Sequence, residues 1–331
     1  METCFDNINS IRKALNSKKD CPSGNGYHPD NEREGTVMIG RDNNLYVIKV
    51  EKKSWKSLDI DFDNLNESFY VPVYFPVFEK IEKEDETGME EKAGGSFPFF
   101  IKGEEWPTDT KRKIPMTFLC QFKDPRKPDS NLLYRLFYTV DQDDEFGSYA
   151  DEYHVSSIEL NETNIQKQIK LENTKTPVYK GYLIKQWRES KELIECETLF
   201  EKLKLFPDND ANNQLYELYS NSKYAPSANI KIGGTSVFCQ YQTDKNRFNN
   251  FFQMSWCEEV PYPWGDAGIA HIIKDINPDD EKVKEIAFWE LRKYTEQSYI
   301  FSEDLTFVND FQRFSGLNFV ENFSYPLNSP L

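Results

Sequence analysis

Short apolar runs separated by polar turns dominate this chain, a pattern that is typical of β-strands. Residues 37–39 and 45–50 flank the turn Arg41-Asp42-Asn43-Asn44 and predict a hairpin. Longer apolar runs further along the chain predict the strands of a larger sheet. These runs are 118–122, 132–140, 251–254 and 268–273.

Helical periodicity is confined to a few places. Phe5, Ile8, Ile11 and Leu15 predict a short N-terminal amphipathic helix. A set of apolar residues over 193–206 fits one face of a second helix, and 215–219 suggests a third. The stretch 283–294 suits either element, and the run Ile286-Ala287-Phe288-Trp289 favours a strand.

The apolar run 70–78 contains Pro72 and Pro76, which cannot donate backbone hydrogen bonds. This predicts an edge strand or an extended connector. Residues 79–92 are rich in acids and lysine and are expected to form a solvated loop. We therefore expect an N-terminal extension over 1–80, with a helix and a hairpin, and one main domain over 81–331.

An internal repeat is visible in the main domain. Lys92-Ala93-Gly94-Gly95 resembles Lys231-Ile232-Gly233-Gly234 at an offset of 139 residues. Each glycine pair is followed by an apolar segment that contains a glutamine, Gln121 in the first copy and Gln253 in the second. The repeat predicts an α+β fold of mostly antiparallel sheet in two related halves, an internal duplication with halves at about 81–176 and 177–331.

Charge narrows the functional classes. The chain has 40 Lys and Arg against 56 Asp and Glu, a net charge of −16. Such a surface repels nucleic acids and anionic membranes, and it favours solubility or a basic protein partner. Six scattered cysteines without a C-x-x-C pair, no secretory signal and no apolar run of about 20 residues predict a cytoplasmic protein, neither secreted nor membrane-bound.

The most pointed motif is Trp264-Gly265-Asp266-Ala267-Gly268. Asp266 either caps a tight turn or presents a carboxylate to a ligand, and Trp264 is either an aromatic lid on the core or a ligand contact. A catalytic role needs a second group, and the nearest candidates in sequence are Glu258, Glu259 and His271. The structural role is the more frequent one for a single carboxylate.

Three glutamines lie among aromatic residues: Gln121, Gln240 and Gln253. They serve either as buried hydrogen-bonding groups of the fold or as ligand contacts in a cleft between the halves, and the first is favoured. The glycine pairs lack the Lys-Ser/Thr of a phosphate-binding loop and predict bends before strands.

No metal or cofactor site is predicted. Residues 141–152 place carboxylates as a calcium loop would, but Phe146 occupies the position that requires glycine. The three histidines are isolated, and no cysteine pair has the spacing of zinc ligands. No nucleophile motif is recognisable either, so an enzymatic activity stays uncertain.

Several motifs together resemble the YwqG-like family, a domain family of unknown function. They are 92–98, Glu105-Trp106-Pro107, 115–122, Ile232-Gly233-Gly234 with Gln240, and 264–268. The resemblance covers residues 90–275 and implies an antiparallel fold in two halves but no activity. Trp106 is a further ligand-binding candidate beside Trp264, Asp266 and the three glutamines. The hairpin 37–50 with Trp55 also resembles hairpins in proteins of large DNA viruses.

Three hypotheses follow. The first is a non-enzymatic interaction module that uses its acidic surface or the cleft between its halves to bind a protein. The second is a small-ligand binder or enzyme that uses a cleft near Trp264 and Asp266. The third is structural packaging in a viral particle, which rests on the hairpin alone. The first is favoured because a fold by itself carries no activity.

Overall fold

A computed structural model describes residues 19–49, 53–83, 88–139, 153–160, 171, 176–237, 248–255, 269–275 and 285–290. These residues lie in the first of the two units into which the chain divides, Met1–Arg292. The helix predicted around Phe5–Leu15 and the acidic loop 141–152 lie outside the described residues.

Two sheets form most of the described structure. Four strands make a small sheet in the order β10-β1-β2-β3, and ten make a large sheet in the order β14-β13-β12-β11-β4-β9-β5-β6-β7-β8. The strands are β1 (Thr36–Ile39), β2 (Leu45–Lys49), β3 (Ser54–Ser57), β4 (Tyr70–Lys80), β5 (Lys92–Ala93), β6 (Thr117–Lys123), β7 (Leu132–Tyr138), β8 (Tyr153–Glu159), β9 (Tyr182–Leu193), β10 (Phe206–Pro207), β11 (Lys231–Gly233), β12 (Phe248–Ser255), β13 (Ile269–Asp275) and β14 (Glu285–Glu290). Pairing is antiparallel throughout except between β1 and β10. The predicted α+β fold with mostly antiparallel sheet is confirmed.

The predicted hairpin is confirmed as β1 and β2, with Val37 opposite Val47. Its turn uses Asn43 in the left-handed region at φ 61°. The Asp42 carboxylate accepts hydrogen bonds from the Asn44 backbone at 3.1 Å and from the Tyr46 hydroxyl at 2.7 Å. Asp and Asn supply this turn because their short polar side chains satisfy the backbone locally.

The expectation that residues 70–78 form an edge strand or a connector is wrong. They belong to β4, which lies between β11 and β9 in the centre of the large sheet. Gly234 donates its backbone N–H to the Pro72 carbonyl, so the donor-free edge of Pro72 faces β11. Because β11 is only three residues long, few ladder hydrogen bonds are lost, and the long pairing with β9 is kept.

The two α-helices of the described part lie between β9 and β11. They are α1 (Cys196–Lys202) and α2 (Asn209–Ser220). The predicted helix over 193–206 is shorter than its apolar pattern, because Leu193 ends β9 and Phe206 begins β10. Asp208 caps α2 by accepting the Ala211 N–H at 2.8 Å. The strand favoured for 283–294 is confirmed as β14.

The large sheet has a symmetric strand order. Its centre is the pair β4 and β9, flanked by β11 and β5, then β12 and β6, β13 and β7, and β14 and β8. One set of strands is β5 to β8 and the other is β11 to β14. In sequence β4 precedes β5, but in the sheet it pairs with β11; β9 precedes β11 in sequence, but in the sheet it pairs with β5. The sheet curls until β14 and β8 come within 8 Å of each other. This places the aromatic core against the inner face of the sheet.

Candidate functional site

Two rows of buried polar side chains cross the large sheet. In the first row Lys92, Gln121 and Arg135 are directly paired on β5, β6 and β7. The second row pairs Lys231, Gln253 and His271 on β11, β12 and β13. Directly opposed residues of antiparallel strands project to the same face, so each row is continuous. All six residues are at most 2% exposed.

Gln121 hydrogen-bonds the first row to backbone groups of residues 88–99, which form part of the segment, here called the covering segment, that contacts this row. Its side-chain oxygen accepts the Phe99 backbone N–H at 2.9 Å. Its amide nitrogen donates to the carbonyls of Gly88 and Glu90. These contacts use both ends of the amide within the protein.

Gln253 makes the same set of hydrogen bonds in the second row. Its oxygen accepts the Val237 N–H at 3.0 Å, and its nitrogen donates to the carbonyls of Ser227 and Asn229 at 3.1 and 3.0 Å. Ser227 and Asn229 lie 139 residues after the two carbonyls that Gln121 bonds, the same offset as between the glycine pairs. The two glutamines therefore bind equivalent backbone segments, residues 88–99 beside the first row and residues 227–237 beside the second. Residues 227–237 are the covering segment of the second row.

Gly94 and Gly95 directly follow β5, whereas Gly233 is the last residue of β11 and Gly234 follows it, so the glycines lie at the ends of strands and not before them as predicted. All four glycines have positive φ, and Gly234 is at 69°. A Cβ atom on Gly234 would lie 2.4 Å from a carboxylate oxygen of Glu192. Glycine is required there because any side chain would displace this carboxylate.

Glu192, on β9, is the buried carboxylate that pairs with Lys231 of the second row. It receives the Lys231 ammonium at 2.7 Å, the Thr235 N–H at 3.0 Å, and the Ser227 N–H and hydroxyl at 3.0 and 3.1 Å. Lys231 is fully buried and Glu192 is 3% exposed. Burial lowers the pKa of Lys231, and the adjacent Glu192 opposes this shift.

In the first row the ion pair is made by Arg135. Its guanidinium contacts the Glu104 carboxylate at 2.5 and 3.0 Å, the Phe99 carbonyl at 2.6 Å and the Ser156 hydroxyl at 2.8 Å. It also lies 5.3 Å from the centre of the Phe100 ring. The Arg135 guanidinium therefore links Phe99 and Glu104 of the covering segment to β7 of the sheet.

A groove of about 480 Å³ opens on the central strands β4 and β9. Two tyrosines, two glutamates and a lysine are among the residues that line it. Its lining residues are Glu67, Tyr70, Val71, Pro72, Glu189, Ser190, Lys191 and Tyr224. Unlike the rows, the groove is open to solvent: Glu67 is 80% exposed and Lys191 29%.

Lys191 contacts three other residues that line this groove. Its ammonium donates to Glu67 at 2.7 Å. It also lies 3.9 Å from the centre of the Tyr70 ring and 4.9 Å from that of Tyr224. The hydrogen bond with Glu67 is the main cause that raises the pKa of Lys191, so this side chain is a cation at neutral pH.

The family comparison agrees with the resemblance seen in the sequence. A family model described as a domain of unknown function, DUF1963, matches residues 91–285. The chain belongs to this family. No protein with a curated description matches the chain.

Both polar rows lie within the DUF1963 match, from Lys92 to His271. The groove contains residues on both sides of residue 91, where the family match begins, because β4 precedes residue 91 and β9 follows it. The expected division at residue 80 stays a prediction. Within the described part of the chain, no helix is long and apolar enough to cross a membrane.

The predicted site residues are only partly brought together. His271 lies beside Gln253 on β13, where burial and then the charge of Lys231 lower its pKa to about 4. Its proposed partners, Asp266 and Glu258, lie outside the described residues, as do Trp264 and Gln240. No contact between Asp266 and His271 is therefore assigned.

Trp106 lies away from the groove. Its indole N–H donates to the Met116 carbonyl at 2.7 Å, and its ring packs 5.5 Å from Phe100 and 5.7 Å from Phe137. Among the described residues, no group of three or more His, Cys, Asp or Glu could hold a metal ion. Cys120 is buried, and burial raises the pKa of its thiol.

Sequence reasoning missed the groove and the ion pairs. Glu67, Tyr70, Lys191 and Tyr224 are far apart in the chain and carry no shared motif. Lys92 and Lys231 occupy matching positions of the repeat, each next to an apolar residue. This match was the one signal in the sequence for buried lysines. Glu192 had no signal, since it is one acid in a polar strand.

Proposed function

We propose that the protein is a non-enzymatic binding module whose groove on β4 and β9 receives a basic segment of a partner protein. The observation that carries this proposal is the groove itself. Its carboxylates, Glu67 and Glu189, are exposed; Glu67 lies in the turn that leads into β4, and Glu189 lies on β9, which pairs with β4 along its whole length. Rigid elements position contact groups at a low cost in conformational entropy.

Charge complementarity supports a basic occupant. The groove contains two carboxylates and one ammonium, within a chain of net charge −16. An acidic surface of this kind accelerates encounter with basic partners and slows encounter with acidic ones. Tyrosine faces add attraction for lysine and arginine side chains.

The polar rows are less suitable as a binding surface. Gln121 and Gln253 use their amides on the backbone, and the side chains of both rows are buried. They support the proposal indirectly, because they hold the covering segments against the sheet. We infer in addition that the two halves arose by duplication, which the equal bonding of the two glutamines supports.

The test uses fluorescein-labelled octalysine as the probe, measured by fluorescence anisotropy at physiological ionic strength. The double variant Glu67→Gln/Glu189→Gln is expected to bind the peptide at least about fivefold more weakly than the unmodified protein, because each lost pair contributes about 0.5–1 kcal/mol. Labelled octaglutamate is expected not to bind.

The matched control is Glu159→Gln/Glu217→Gln, which removes two exposed carboxylates from β8 and α2. It changes the net charge equally and should leave the affinity within about twofold of the original. Equal weakening by both double variants would contradict the proposal, because binding would then be diffuse. Self-association that Glu67→Gln/Glu189→Gln weakens, without octalysine binding, would assign the groove to a second copy instead.

The other hypotheses stay predictions. An enzyme or ligand site near Asp266 would require that residue to lie beside a second titratable group such as His271. Packaging in a viral particle rests on the resemblance of hairpin 37–50. A cytoplasmic location, expected from the sequence, is part of the proposal for the interaction module.

A further inference from the structure

One part of the groove has the geometry of a site for an organic cation. Tyr70 and Tyr224, here the tyrosine pair, pack edge to face with ring centres 5.2 Å apart. Cations bind the faces of aromatic rings within about 6 Å of the ring centre. The Lys191 ammonium meets this condition for both rings, and Glu67 supplies a carboxylate at 2.7 Å. The chain's own lysine therefore occupies this site.

Lys191 is held in a way that permits exchange. Its partner Glu67 is 80% exposed, and exposed ion pairs contribute little net free energy because water and salt compete with them. Its backbone is fixed by pairing with Pro72 on β4, whereas its four-carbon side chain has several rotatable bonds. The ammonium can leave the tyrosine pair without any movement of the strands.

We propose that the tyrosine pair and Glu67 recognise a lysine side chain of the partner, which displaces Lys191 from the site. This inference rests on the proposed function and specifies its ligand chemistry. A primary ammonium fits because it reproduces both interactions of Lys191: attraction to the two rings and a hydrogen bond to Glu67. Lys191 acts as an internal competitor that lowers the affinity of the site.

The variant Lys191→Met tests the inference, because methionine keeps the apolar stem and removes the competing ammonium. It is expected to bind labelled octalysine about five- to tenfold more tightly than the unmodified protein, in line with one cation–aromatic contact. Adding Tyr224→Leu to Lys191→Met is expected to abolish this gain. Thermal melting of each variant confirms that the fold is retained.

Removing any lysine makes the protein more acidic, so the control must match this change. Lys185→Met serves, because Lys185 is on the same strand and forms an exposed pair with Glu79 at 3.1 Å. It should change the affinity for octalysine less than twofold. Equal gains in Lys191→Met and Lys185→Met, or no gain in either, would overturn the inference.

Failure of this inference is separable from failure of the proposed function. If Lys191→Met matches Lys185→Met while Glu67→Gln/Glu189→Gln still weakens binding, the groove binds basic segments without displacing Lys191. If the unmodified protein does not bind octalysine but Lys191→Met does and Lys185→Met does not, the cation site is retained. In that case octalysine alone would not displace Lys191 from the tyrosine pair, and binding would require a further contact between the partner and the protein.

Discussion

Replacing Glu192 with alanine is expected to destabilise the protein by about 3–5 kcal/mol, because it leaves the buried Lys231 ammonium without its counter-ion. The loss also removes the acceptor of the Thr235 and Ser227 N–H groups. Urea unfolding followed by circular dichroism measures the change. Lys231→Met alone should destabilise by a similar mechanism, since Glu192 would remain buried and charged.

The double variant Glu192→Ala/Lys231→Met identifies the cause, because it combines the same two substitutions. Replacing both members of a buried pair removes the uncompensated charge, so the double variant should be more stable than the sum of the single losses by about 1–3 kcal/mol. Glu79→Gln, which breaks the exposed pair with Lys185, should change stability by about 0–1 kcal/mol. Simple additivity of the two buried substitutions would contradict the assignment of this pair.

Leucine in place of Gln121 or of Gln253 is expected to cost about 2–4 kcal/mol in each case, because each change leaves buried backbone groups without hydrogen-bond partners. The two costs should agree within about 1 kcal/mol, since the amides make the same three contacts in the two rows. Urea unfolding of both variants provides the comparison.

The control for this pair is Gln186→Leu, an exposed glutamine on β9. Its effect should stay within about 0.5 kcal/mol, the usual range for surface substitutions. A large loss for one buried glutamine and none for the other would contradict the equivalence of the two rows. It would also weaken the inference of a duplicated half.

Much of the fold could be predicted because hydrophobic patterns report local structure directly. The hairpin β1–β2, the glutamine strands β6 and β12, and β14 all follow from short apolar runs next to turn residues. The position of β4 could not be predicted from its prolines. The number of backbone hydrogen bonds that a proline removes depends on which neighbouring strand faces its nitrogen. Here that strand is β11, which lies more than 150 residues further along the chain.

The candidate site was less predictable than the fold. The groove brings together residues from the turn before β4, from β4 and β9, and from the segment after α2, and its aromatic and charged residues have no fixed spacing. Gln121 and Gln253 were visible because the repeat marks them in sequence. The ion pairs were not, because Glu104, in the connection between β5 and β6, and Glu192, on β9, are far in sequence from Arg135 and Lys231 and share no motif with them.

Location of a bound basic peptide on the protein tests the central claim most directly. Octalysine carrying one photoreactive benzophenone group is irradiated with the unmodified protein, and the adducts are mapped by peptide mass spectrometry. Adducts concentrated at residues 67–72, 189–191 and 224 are the predicted result. Adducts spread over the acidic surface, or concentrated away from β4 and β9, would contradict the assignment of the groove as the binding site.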